Sequence, residues 1–492
     1  MTLLTRRHLL QTFAGASALA FMPRALAAPS TAGWVEDATL LQRIYEAMHP
    51  GLYRYNMPAD ITGAFDLLRS RLAGAPSRAA AWLAFSEATA RIRCGHTQPN
   101  PYNQSDAIAA ELSAGATCLP FLFEWIGGRM IVTRALNGDA GLKPGTEVVA
   151  LGGEPAPEIL KAMVPITRAD GSNDAKRINL LSVRGVDDWE TFDLFLAQLR
   201  PALVAQGKIA LTLQDLDGGT RQTEAALMTR AERRVAVPPP ASQKDKPWET
   251  QMLADGVAWL KMPDWTFYNA GFDWRAALDA ELDTIAGAAP RALVVDIRGN
   301  EGGDEVGALI LARFIDAPRS LGGRSRLTRY RTAPAEFVPF LDTWDPSFLD
   351  WGAAAKGPDA DGYYNVADSA DAAGAMLKPD GKRIKAKLVV VTGAANSSAT
   401  FQFASQTREL GLGTLIGQPT GGNRRGINGG AFFFVRLPNS GLEADLPLIG
   451  QYPLQQQPDA GLVPDVTVER TARHIADGTD AERDAVLTFL KA

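Results

Sequence analysis

Residues 387–404 read KLVVVTGAANSSATFQFA. Leu388 to Val391 is an unbroken apolar run closed by Gly393, the pattern of a strand buried on both faces. Beyond the loop, ATFQFASQTREL (399–410) carries its apolar residues at helical spacing. The same order recurs upstream, where RALVVDIRG (291–299) reads as a buried strand and VGALILARFI (306–315) as a helix. GVAWLKM (256–262) and WRAALDAELDTIAG (274–287) repeat it once more. Such strands alternating with helices predict a parallel sheet covered on both faces, over residues 248–492. Ligands of such sheets sit at the carboxyl ends of the strands, and both DIRGNEGGD (296–304) and TGAANSSAT (392–400) lie there.

Working outward, 492 residues with 46% hydrophobic and 21% charged content are enough for several globular domains. The first residues combine Arg6-Arg7, an apolar stretch from Leu9 to Met22 and the small-residue site Ala25-Leu26-Ala27. That build predicts a signal of the twin-arginine type over 1–27, removed on export to the periplasm or beyond, and no membrane span after cleavage. The mature chain then carries 47 basic and 55 acidic side chains, a balance that argues against nucleic acid as a partner. Cys94 and Cys118 either pair in an oxidising compartment or stay as two thiols.

Helical spacing in LLQRIYEAM (40–48), AFDLLRSRLAG (64–74) and AAAWLAFSEATARI (79–92) predicts an N-terminal helical domain over 28–110, which runs into CGHT (94–97). A second domain is expected over 111–237. It opens with FLFEWIGGRMIVTRAL (121–136), two strands around a Gly127-Gly128 turn. A turn at Lys143-Pro144-Gly145, a strand from Glu147, a Gly152-Gly153 turn and a helix follow. This segment resembles the second half of a PDZ domain, but Gly127-Gly128 serves as a hairpin turn and no carboxylate-gripping loop is evident. The proline-rich stretch at 238–247 reads as a linker.

The chemistry belongs in the two strand-end loops. Glycines in DIRGNEGG let backbone N–H groups turn toward a ligand and hold an oxyanion. A serine opening a helix gains from unpaired amides and the positive helix end, although such a serine is more often only a cap.

The ordered set of CGHT, the PDZ-like segment, LVVDIRGNEGG (293–303), VVVTGAANSSATFQFA (389–404), LIGQPTGG (415–422) and GLVPD (461–465) resembles the C-terminal processing, or tail-specific, peptidases and their tricorn-core relatives. The resemblance implies a multidomain α/β chain: a crotonase-like, tricorn-core peptidase domain with an N-terminal helical domain and an inserted PDZ-like domain. In that family the nucleophile opens a helix about twenty residues before a Gly-x-Pro-Thr turn, here Gly417-Gln418-Pro419-Thr420, which points to Ser398. The family's acid after the nucleophile is Phe401 here, and the lysine base of the processing branch is Asn423, an amide that cannot take the serine proton. The tricorn-like branch uses a histidine from an N-terminal segment, which implies His96 as general base. His49 and His474 read as structural.

The resemblance also implies a third acid near the GLVPD element, with Asp459 nearest, Asp465 more suited to ordering a turn and Glu443 a distant alternative. Oxyanion donors would be the N–H groups of Ala399 and of Gly302 or Gly303. The expected activity is a serine peptidase acting on peptides or proteins through an acyl-enzyme, with no metal and no cofactor, since neither HExxH nor GxxxxGK[ST] occurs. The alternatives are another Ser-His acyl hydrolase, such as an esterase, and an inactive peptide-binding homologue.

Overall fold

A computed structural model describes residues 31–115, 117–136, 141–238, 247–268, 270–321, 323–366 and 376–492. The expected signal at 1–27 and most of the expected linker at 238–247 lie outside the described residues. Among those described, no helix is long and apolar enough to cross a membrane.

Three helices, Thr31–Met48, Pro58–Ala73 and Arg78–Ala90, occupy the N-terminal region. Local chemistry starts the second and third: Pro58 takes a first-turn position where its missing N–H costs nothing, and the Ser77 hydroxyl accepts from Ala80 N–H. The chain then builds a six-stranded sheet around the antiparallel hairpin Phe121–Ile126 and Arg129–Ala135. Gly127 and Gly128 have φ of 59° and 78°, the two positive angles that a tight hairpin turn of matching twist demands.

The second six-stranded sheet is the predicted parallel one. Its spatial order is Val466–Thr467, Gly413–Gly417, Lys387–Thr392, Ala292–Asp296, Val257–Lys261 and Glu249–Met252, with only the last pair antiparallel. Leu293, Val295, Leu388, Val390 and Leu415 face one core, whereas Ala292, Val294, Val389, Val391 and Ile416 face the other. The two-residue period of a strand thus fills both faces, which is why these segments read as continuous apolar runs.

A five-stranded antiparallel sheet was not expected. Its centre is the hairpin Ile427–Arg436 and Glu443–Pro453, flanked by Leu341–Asp342, Arg324–Thr328 and Tyr364–Asn365. One face of the hairpin (Ala431, Phe433, Val435, Leu446, Leu448) joins the core of the N-terminal helices, and Phe432 and Phe434 on the other face pack with Tyr268 and Trp344. Both faces are buried, so the polar-apolar alternation that marks an antiparallel strand is absent. Polar contacts tie helix to hairpin: Asn439 and Ser440 N–H donate to the Asp37 carboxylate at 3.1 and 2.6 Å, and Tyr45 hydroxyl donates to Asp445 O at 3.0 Å. This docking carries the 94–97 loop across the molecule to the parallel sheet.

Candidate active site

Three loops from distant parts of the chain meet at the carboxyl ends of the parallel strands. Ser398, His96, Gly302 and Gly303 line one pocket there, with Asp170, Lys176, Glu301, Asp445, Phe432 and Tyr268 among their neighbours.

The serine loop is held by Asn396. This fully buried side chain accepts Gly393 N–H at 2.7 Å and donates to the carbonyls of Ile297 and Asn300 at 2.6 and 2.9 Å. The two strand-end loops are therefore stitched together by one amide. Ser397 and Ser398 then divide in role. Ser397 is buried and its hydroxyl donates to Glu301 O at 3.1 Å, so its proton is already committed. Ser398 opens the helix Ser398–Glu409 with φ of 50°, a conformation that costs a non-glycine residue about 1–3 kcal/mol and is characteristic of functional turns.

The glycine loop wraps against this turn. Asn300 is fully buried, donates to Met262 O at 2.8 Å and accepts Gly302 N–H at 2.8 Å. Gly302 has φ of 107°, and a Cβ built on it would lie 2.9 Å from each of Ala399 N, Ser397 O and Ser398 Cβ. Its N–H, one of the two sequence choices for an oxyanion donor, is thus spent on Asn300, and its lack of a side chain is what the site uses. Gly303, with φ of 138°, packs against the Trp265 carbonyl and reaches the pocket.

His96 is carried by a loop fastened from the 167–173 segment. Gly95 N–H donates to Asp170 Oδ1 at 2.9 Å, Arg168 Nη1 donates to Gly95 O at 2.8 Å, and Gly171 N–H donates to Arg93 O at 2.9 Å. The His96 ring lies 5.9 Å from that of Phe432, and its Nδ1 is buried with no hydrogen-bond partner among the described residues. Burial pushes its pKa below the usual histidine value, with Asp170 and Glu301 opposing and Arg168 and Lys176 assisting. The imidazole is therefore neutral at neutral pH, the state a proton acceptor requires.

His49 and His474 are not among the residues lining this pocket. His49 is buried, bonded to Thr97 Oγ1 at 2.8 Å and to Gly51 N–H at 3.1 Å, and burial brings its pKa to about 3. His474 lies in the Ala472–Ala476 helix. Asp465, expected to order a turn, instead ties to a strand and a helix, accepting from Leu415 N–H and Arg408 at 2.8 and 2.9 Å. Glu443 pairs with Arg436 at 3.4 Å. Cys94 and Cys118 are free thiols.

The acid that the resemblance implied, Asp459, lies behind the 170–173 turn. Asp459 is not among the residues around the pocket; its oxygens accept from Ser172 N–H and Oγ, both at 2.9 Å, and from Asn423 Nδ2 at 2.7 Å. It braces the 170–173 turn from behind, and Asn423, which also donates to Asp170 O at 3.1 Å, completes the brace. The acid that this turn presents to the pocket is Asp170. Sequence reading missed it because ITRADGSND (166–174) carries no motif; the one available signal was a lone acid beside a glycine in a loop.

Two further pocket residues also escaped the sequence reading. Lys176 is 2% exposed and ion-paired to Glu301 at 2.9 Å. Asp445 is buried, and burial raises its carboxyl to about 8 although Asn103 and Asn100 donate to it at 2.9 and 3.1 Å.

Residues 256–467 match the model of Peptidase family S41. No curated protein sequence matches this chain. Among solved structures, mature CPAF complexed with lactacystin is similar with a TM-score of 0.61 at 13% identity, over 94% of this chain and 98% of that one. Mature CPAF gives 0.56 at 13% identity, over 91% and 94%. At such identity the likeness speaks for the fold alone. The matched segment, less than half of the chain, contains the parallel strands, the glycine loop and the helix that Ser398 opens; over these residues the chain is similar to peptidase family S41, a match that indicates a serine-type peptidase.

Proposed function

We propose that the chain is an exported peptidase that cleaves peptide bonds with Ser398 as nucleophile and His96 as general base. The observation that carries this reading is the convergence of the 94–97, 296–304 and 392–400 segments on one pocket. His96 takes the Ser398 proton as Oγ attacks the scissile carbonyl, then delivers it to the leaving amine. An acyl-enzyme remains, and water, activated by the same imidazole, releases the acid and restores Ser398. The Ala399 and Gly303 N–H groups face the developing oxyanion, while Gly302 supplies the space, and such donors are each worth about 3–4 kcal/mol in comparable sites. Asp170 stabilises the imidazolium that forms during transfer, the role in which Asp459 stood on sequence grounds.

A fluorophosphonate probe tests the nucleophile directly. Wild-type protein is expected to be labelled at Ser398, and Ser398→Ala to be unlabelled. Absence of labelling in a protein that still binds peptides would replace this reading with an inactive homologue. Turnover of simple esters but not of peptides would make it an esterase.

Export rests on the Arg6-Arg7 pair in the first residues. Changing both to lysine is expected to leave the precursor in the cytoplasm, as followed by fractionation. Undiminished export would remove the twin-arginine route.

A further inference from the structure

We infer that Lys176 is a positioning residue, the hub of a buried charge network that clamps the three active-site loops by the neighbours of their functional groups. The inference rests on the Ser398–His96 reading. Lys176 lies in the helix Asp174–Leu180, and its ammonium donates to Glu301 Oε1 at 2.9 Å, Ala395 O at 2.8 Å and Ser397 Oγ at 3.3 Å. Three protons meet three acceptors, so the charged form is the one the site satisfies and the amine has no lone pair to offer a serine. Glu301 continues the network through its other oxygen to Arg168 at 3.3 Å, and Arg168 donates to Gly95 O at 2.8 Å.

The endpoints are telling. Gly95 precedes His96, Glu301 precedes Gly302, and Ser397 precedes Ser398. One continuous path thus joins the residues immediately before the base, the oxyanion wall and the nucleophile. A buried ion pair is a poor source of stability, because desolvation offsets the attraction, but it holds geometry well when every donor is used.

The network also sets the charge around His96. Facing it are Asp170 and Arg168 from the 167–173 segment, Glu301 from the glycine loop and Lys176 from its helix, and the same pocket holds Asp445, Asp264 and Tyr268. Lys176 and Arg168 disfavour the imidazolium, whereas Glu301 favours it. Removing either cation therefore moves the acid limb of kcat/KM to higher pH, and removing the Glu301 charge moves it to lower pH.

The test uses the mature full chain with Lys176→Met, Glu301→Gln and Arg168→Gln, measuring kcat, KM, the pH profile of kcat/KM and the unfolding midpoint. Each variant is expected to lose about 10- to 100-fold in kcat with little change in KM, since loosening the loops misplaces the reacting groups. The acid limb should rise for Lys176→Met and Arg168→Gln and fall for Glu301→Gln. Arg168 lies at the outer end of the network, so its variant keeps the test open should Lys176→Met not fold. Activity that falls only with the unfolding midpoint, at an unmoved limb, would reduce the network to a structural brace. Probe labelling of Ser397 in the wild type, lost in Lys176→Met, would instead make Lys176 the base and overturn the Ser398–His96 reading itself.

Discussion

Ser398→Ala and His96→Ala are each expected to lower peptide turnover by several orders of magnitude, and the double variant to be hardly worse than either. Serine is a weak nucleophile until a neighbour takes its proton, and a nucleophile and its base act as a unit whose losses do not add. The pH profile provides the second check. Only neutral imidazole accepts a proton, so activity rises with pH through the His96 pKa. Burial destabilises the imidazolium and places that pKa below 6.5, with Asp170 as the strongest opposing influence. The acid limb of kcat/KM is therefore expected below pH 6.5, and activity should persist into mildly acidic solution. A limb in the alkaline range, together with a His96→Ala variant that keeps most of its activity, would exclude His96 as the base.

Gly302→Val is expected to cost about 100-fold or more in turnover while the fold survives. The cause is steric and local. A side chain at φ of 107° is strained in itself, and its Cβ would lie 2.9 Å from Ala399 N, Ser397 O and Ser398 Cβ, closer than real Cβ contacts come. None of these atoms is the free end of a flexible chain, so the glycine loop and the serine turn must separate. Separation misplaces the nucleophile relative to the oxyanion donors, and errors of this size at a reacting centre cost about 10²-fold. Gly299→Ala is the matched control. Gly299 also has positive φ, at 79°, but a Cβ there meets open space, so that variant should lose stability with a far smaller loss of turnover. Circular dichroism and initial rates on both variants distinguish the two effects. Equal activity losses would show that backbone strain, and not the approach to Ser398, is what matters at Gly302.

The parts of the site that were legible in sequence are those whose chemistry is local. Ser398 stands at the junction of a buried strand and a helix, and the Gly299, Gly302 and Gly303 cluster follows another such strand. Both patterns lie within a dozen residues and report strand ends directly. Which of two loop acids lines the pocket was not legible in this way. Asp459 and Asp170 are both loop acids, and only the packing of the 170–173 turn, braced by Asn423 and Asp459, turns one toward the pocket and the other away. Lys176 gave no signal for the same reason. A lysine in a short helix reads as solvent-facing, and its 2% exposure is created by Glu301, Ala395 and Ser397 closing over it from more than a hundred residues away.

By itself, then, the sequence determined the parallel sheet, the Gly127-Gly128 hairpin and the serine turn, because each depends on the period and turn chemistry of neighbouring residues. Tertiary structure alone decided the 427–453 hairpin, whose two buried faces erase the strand period, and the spending of the Gly302 N–H on Asn300. It alone decided the enclosure of Lys176 and that Asp170 lines the pocket where Asp459 does not, since which side of a loop faces a pocket is set by what packs behind it.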